Sequence, residues 1–179
     1  MRALPKLALA AASALCLLAA TARPARAQEH AWEASLGYSA LHDASDHANF
    51  PLGFSVSGAL PLNEWLSAVG DIDHQRKTLK LFDGSPGSLT STGFLAGVRA
   101  SSTRGSFTEF VQALAGGVTS AGTVFGTTDT THHFAVQPAI GLDVRISDLW
   151  AIRGELDARW LSQGNEVRYV AALVFKAPR

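Results

Sequence analysis

From residue 31 onward this chain alternates apolar and polar side chains with period two, and no stretch carries the 3.6-residue spacing of a helix. That pattern confines it to β-structure, each strand having two unlike faces. The clearest instance is Trp150-Ala-Ile-Arg-Gly-Glu-Leu-Asp-Ala-Arg-Trp160. Arg153, Glu155, Asp157 and Arg159 share one face, while Ile152, Gly154, Leu156 and Ala158 lie on the other between two tryptophans. Clusters of Gly, Pro, Asn, Asp and Ser cut the alternation into eight predicted strands, near 31–41, 50–60, 65–74, 91–100, 107–118, 133–146, 149–161 and 166–175. With no helix to carry a crossover, successive strands pair antiparallel as hairpins.

The N-terminus bears on compartment. Arg2 and Lys6 precede an apolar run from Leu7 to Ala20, and Ala25-Arg-Ala27 follows, the order of a secretory signal peptide with a small-residue cleavage site. Residues 1–27 are therefore expected to be removed, leaving one domain, 28–179. The apolar run is shorter than the roughly 20 residues that span a bilayer as a helix. Cys16, the single cysteine, leaves with it, and Leu15 before it is too large for a lipoprotein signal. Four of the 15 basic residues leave as well, so 11 remain against 15 acidic ones, a net charge of −4. A mildly acidic exported chain offers no electrostatic case for nucleic acid.

Period two is blind to inside and outside. From Trp150 to Trp160 is ten residues, about 33 Å of strand. Tilted about 40°, that rises about 25 Å, the height of the apolar band of a membrane barrel. This reading sends the apolar face to lipid, with Trp32, Trp65, Trp150, Trp160, Tyr169 and Phe175 as the aromatic girdle. The lumen then receives Arg153, Glu155, Asp157 and Arg159, with Asp71, Asp73, Asp143, Arg145 and Arg168 from other strands. An eight-stranded barrel is just wide enough for its own side chains, so these charges are expected to form a packed ion-pair network, not a pore. The rival is a soluble exported calycin-like barrel, apolar inside, holding a small apolar ligand. The small residues on the polar face of 133–146 (Ala135, Ala139, Gly141) favour the membrane reading. Connections after the first, third and fifth strands (His42–Asn49, Gln75–Thr90, Thr119–His132) are expected to be the longer, outer loops. Pro138 falls in mid-strand, where a bulge or local break is expected.

The eight hairpin-linked strands and the ending Val167-Arg-Tyr-Val-Ala-Ala-Leu-Val-Phe175 resemble the small outer-membrane β-barrels of the OmpA transmembrane-domain type. The resemblance implies a closed antiparallel up-and-down transmembrane barrel in the outer membrane. It also implies insertion by the barrel assembly machinery, which reads the last strand through Tyr169, Ala171, Leu173 and Phe175. Lys176-Ala-Pro-Arg179 continues past that aromatic end. The family's separate peptidoglycan-binding domain has no counterpart in this sequence.

Specific chemistry is sparse. His42, Asp43, Asp46, His47, Asp129, His132 and His133 supply metal-ligand types, but without a defined spacing. Lipid A deacylases of this architecture carry a His-x-Ser pair on the penultimate strand. Here Arg159-Trp-Leu-Ser162 has no histidine, so Ser162, with Glu166 near it, is expected to lack a base. Arg76, Lys77 and Lys80 form a basic end suited to lipopolysaccharide phosphates. The expectation is a non-catalytic barrel with a structural or surface-interaction role, no cofactor, lipid around it, and a protein partner at its outer loops. A lipid A-modifying barrel enzyme is the remaining alternative.

Overall fold

The computed structural model describes residues 30–43, 48–80, 86–125, 127–162 and 164–178. The expected signal peptide, Asp46 and His47 lie outside the described residues. The strands are β1 (His30–Asp43), β2 (Ala48–Phe50), β3 (Leu52–Pro61), β4 (Leu66–Lys80), β5 (Pro86–Arg104), β6 (Phe107–Val124), β7 (Thr127–Arg145), β8 (Trp150–Leu161) and β9 (Gly164–Pro178). Both β2 and β3 pair with β1, through Leu41↔Phe50 and Leu36↔Val56, so they are two pieces of one stave. The break falls at Pro51, which has no N–H for the ladder. Eight antiparallel staves result, and β1 pairs with β9 from Trp32↔Ala177 to Asp43↔Glu166, closing the sheet into a barrel.

Each face goes where the alternation and lipid require. Ile152 is 53% exposed and its neighbour Arg153 is 2% exposed. Leu36, Phe94, Ile140 and Leu173 also face outward, while Asp73, Asp157, Arg159 and Arg168 are buried inside. The inverse arrangement, a calycin-like barrel with an apolar interior, is thereby excluded.

At the end where the described chain starts and finishes, the turns are tight. Leu62 and Asn63 donate to the Leu66 carbonyl while the Asn63 side chain accepts from the Trp65 and Leu66 amides. The turn into β8 repeats this scheme with Ser147 and Trp150. Gly105 sits at φ +62° between β5 and β6, a conformation costly for other residues.

The opposite, upper end corrects the expected loops. Most of Gln75–Thr90 and Thr119–His132 is strand: β4 runs on to Lys80, β5 starts at Pro86, β6 ends at Val124 and β7 starts at Thr127. These segments carry few bulky apolar residues, so their alternation is faint in sequence. Threonine is nonetheless a strong strand former, and Thr123–Thr128 bonding (3.0 Å) continues the ladder to the turn. Where the outward face of β7 changes from Phe134 to His132, a register-aligned row crosses the sheet: Phe54, His74, Thr92, Thr119 and His132. His74 Nδ1 lies 2.9 Å from Thr92 Oγ1, and His132 Nδ1 lies 2.9 Å from Thr119 Oγ1. Above this polar collar β4–β7 project as a four-stranded sheet.

Pro138 causes a local break and no bulge. The β7–β8 ladder lacks its pairs at Gln137 and Pro138, then resumes in the same register from Val136↔Trp160 to Ala139↔Asp157. Across the gap the Gln137 side chain accepts from Arg159 Nε at 2.7 Å, so a side chain spans the place where the backbone opens.

Candidate functional site

Inward parity on seven staves gathers polar groups into two tiers. In the lower tier Arg153 grips Asp143 with two hydrogen bonds (2.7 and 2.9 Å) and reaches across the barrel to Glu33 at 2.8 Å. Glu33 also pairs with Arg99, whose Nε donates to Gln112, and Gln112 donates to Glu155 at 2.8 Å. The Phe110 ring lies beneath both guanidinium groups, 4.4 Å from that of Arg99 and 4.7 Å from that of Arg153. Gly141 makes room for it: a Cβ there would come within 2.2 Å of the Phe110 ring.

In the middle tier Arg168 is the hub. It bonds Asp157, and it pairs with Asp71 at 2.8 Å, Asp73 at 3.2 Å and Glu155 at 3.7 Å. Arg159 completes the tier through Asp73 (2.5 Å) and Glu166 (3.5 Å). Arg153, Arg159 and Arg168 are each at most 2% exposed. Removing one partner of such a buried array would cost about 3–5 kcal/mol, because it strands charge in a low dielectric. Opposite these charges, Val69, Leu95, Leu114, Val118 and Ala135 form an apolar wall. The space left beside the lower tier is about 20 Å³, room for one water.

Of the nine charges expected in the lumen, eight lie in these tiers. Arg145 does not: it is exposed at the lower rim, donating to the Gly105 carbonyl at 2.6 Å. Its parity is inward, but it is the last residue of its strand, and its guanidinium turns to the rim and the Gly105 carbonyl. Glu33, Arg99, Gln112 and Lys176 were missed, and Glu166, read from the sequence as an acid near Ser162, is a lumen residue paired with Arg159. The alternation of β1 and β5 puts Glu33 and Arg99 on the inward face, as it does Arg153 on β8. Lys176 looked like tail, yet β9 continues to Pro178 and turns that side chain inward, 3.3 Å from Asp143.

Trp32, Trp65 and Trp150 are half-exposed near the lower turns. Phe175 packs between two of them, tilted against Trp32 at 5.6 Å and edge-on to Trp150 at 5.2 Å. Tyr169 faces outward higher on β9, and Trp160 is half-buried at the top of β8. His42, His132 and His133 prove to be strand residues bonded to Asn49, Thr119 and Ser162 respectively, not a converging set. Among the described residues no three His, Cys, Asp or Glu gather as metal ligands. Ser162 does have an imidazole near it, His133 Nδ1 at 3.3 Å, a neighbour from β7 that the local sequence could not reveal. The bond is long, and among the described residues no carboxylate hydrogen-bonds the ring.

Above the middle tier the lumen opens into a mouth of about 360 Å³, walled by the inner face of the projecting sheet and by the tops of β1, β2, β8 and β9. On the far side of that sheet, β7 pairs with β8 only from Ala135 downward. Thr127–Phe134 therefore has one unpaired backbone edge among the described residues.

A closed barrel with lipid-seeking outer faces and ions within has known counterparts. The outer membrane protein beta-barrel domain family matches residues 10–173. The chain belongs to that family. It is an outer-membrane protein. No curated protein matches its sequence. Among solved structures it is similar to Ail, the attachment invasion locus protein of Yersinia pestis, in complex with the heparin analogue sucrose octasulfate. Identity is 14% and the TM-score 0.65, over 83% of this chain and 99% of that one. Neisserial surface protein A is similar at 11% identity, TM-score 0.61, over 81% and 95%. The N-terminal β-barrel domain of Pseudomonas aeruginosa OprF follows at 11% and 0.59, over 83% and 98%. At these identities the likeness is one of fold.

Proposed function

We propose that this protein is a non-catalytic barrel with a side-chain-filled lumen, working through its outer surfaces: it braces the membrane and presents the β4–β7 sheet to partners outside the cell. The carrying observation is the cross-barrel bonding of Arg153 and Arg168, which leaves only about 20 Å³ beside the lower tier. A path for ions would require breaking buried pairs. In planar bilayers the purified protein should give conductance near background. Large discrete single-channel steps would overturn the packed lumen.

The surface role is supported by the edge of Thr127–Phe134, which is unpaired among the described residues, since an exposed strand edge is a template for an extended partner chain. Trimming the β6–β7 hairpin down to the collar should leave the barrel folded and abolish attachment of expressing cells to extracellular proteins. Attachment equal to that of the untrimmed protein would contradict this role. Residues 1–27 would direct export, the alternating end of β9 would be read by the assembly machinery, and the aromatics at the two ends would sit as girdles. Arg76, outward on β4 just above the collar, is placed for lipopolysaccharide phosphate. Lys77 instead lies over the Phe50 ring at 6.0 Å, and the Lys80 side chain lies outside the described residues. Against lipid A modification stand the long Nδ1 contact and, among the described residues, a ring without an orienting acid. Overexpression of wild type and of Ser162→Ala should leave lipid A equally unaltered, and a change seen only with wild type would establish an enzyme.

A further inference from the structure

We propose that Phe125, at the tip of the β6–β7 hairpin, anchors an extended segment of a protein partner paired with β7, an assignment that rests on the surface role above. The segment carries a basic residue and, four positions later, an apolar one. Val124 pairs with Thr127, so only Phe125 and Gly126 connect the two strands. Both turn types that suit a two-residue connection set its first residue at φ > 0, where Gly, Asn or Asp is usual. Phe125 stands there instead, at φ +51°, the only non-glycine residue with positive φ among the described residues. A bulky side chain in that region is costly, and an Asn would relieve the cost. The ring recovers little of it within its own chain, for it is 70% exposed, and Val124 beside it is 38% exposed. Strain that the fold does not require marks a functional position, and a projecting aromatic is the usual anchor of a protein interface.

The surroundings of the tip select its occupant. From Val118 to Thr128 the chain carries no charge, whereas a tip that enters a bilayer draws on Lys and Arg around it. Below the tip, Thr127–Phe134 is unpaired on one side among the described residues. It holds no Lys, Arg or Pro to deter a pairing strand. A strand added there takes the place that β8 fills lower down, so it runs antiparallel to β7 and ends at the tip. Asp129 is the one acid on that edge, exposed and four positions from Phe125, about 13 Å along the strand. Cross-strand pairing favours a cation opposite Asp129, and the residue that reaches Phe125 then follows it by four.

The probe is the peptide acetyl-Val-Thr-Lys-Thr-Val-Thr-Trp-amide, titrated into the nanodisc-embedded barrel. It should shift the amide resonances of Thr128 and Thr130 to saturation. Phe125→Asn should weaken binding about tenfold while amide exchange across the hairpin slows, because Asn suits the turn. Phe125→Trp should bind as wild type does. Asp129→Asn should erase the preference for this peptide over its glutamate-for-lysine version. Equal binding by wild type and Phe125→Asn, or faster exchange in that variant, would overturn the anchor and leave the edge standing. An absence of shifts would overturn the extended partner, while the surface role itself is judged separately, by attachment of cells carrying the trimmed hairpin. Phe125-dependent binding to phosphatidylcholine vesicles, or of one nanodisc to another, would also overturn the proposal, by making a bilayer or a second copy the occupant.

Discussion

Below the collar of His74, Thr92, Thr119 and His132, the outward residues of β7 are Phe134, Val136, Pro138, Ile140, Leu142 and Val144, and the inward ones include Gln137 and the ion-paired Asp143. Above it, the same strand puts Thr128, Thr130 and His132 outward and Asp129, Thr131 and His133 inward. Backbone geometry is continuous across the boundary; only the solvent differs. In hydrocarbon every backbone group must find a partner, so the sheet below is closed and its charges are sealed in pairs. In water an unpaired edge is tolerated, and among the described residues the upper part of β7 has one. The outward apolar run from Phe134 to Val144 spans ten residues, about 33 Å of strand and about 25 Å of height, which is the thickness of the apolar band itself.

Substitutions at matched positions test this contrast. The largest loss is expected from Arg168→Met, which leaves Asp71, Asp73 and Asp157 without their common cation. Urea unfolding from lipid vesicles should show a destabilisation of about 3–5 kcal/mol, and a loss below about 1 kcal/mol would mean that the tier is not an energetic unit. Next comes a pair on β7 with the same parity. Ile140→Arg should cost about 2–4 kcal/mol in the same assay, while Thr130→Arg, above the collar, should change stability by less than about 0.5 kcal/mol. Equal costs would remove the boundary between them. Smaller still is Gly141→Ala, whose added methyl must displace the Phe110 ring from under two guanidinium groups. About 1–3 kcal/mol is expected, partly recovered by the compensating Phe110→Leu.

Legibility in the sequence followed the same boundary. Where lipid enforces a strict apolar face, as in β8, the alternation fixed strand, parity and inward charges from Arg153 to Arg159. Above the collar, where Thr, Ser and His occupy both faces, nothing in the hydrophobic pattern distinguishes strand from loop, and the projecting sheet went unseen. Pairings across the barrel, such as Glu33 with Arg99 and Arg153, were also hidden. Parity says that a residue points inward, but not which partner from another stave meets it. The same holds for His133 beside Ser162, which are 29 positions apart and joined only by the register of β7 against β8. Arg145 shows the converse: parity without height in the barrel is an incomplete coordinate.

The orientation of the two faces is the claim on which all else rests, and single-cysteine labelling tests it directly. The chain's single native cysteine, Cys16, lies in the segment expected to be cleaved, so an introduced thiol on β7 reports alone. In nanodiscs, a membrane-impermeant maleimide should modify Thr130→Cys rapidly and leave Ile140→Cys untouched until the bilayer is dissolved and the barrel unfolded. Equal labelling of the two positions in the intact bilayer would contradict a lipid-facing apolar wall.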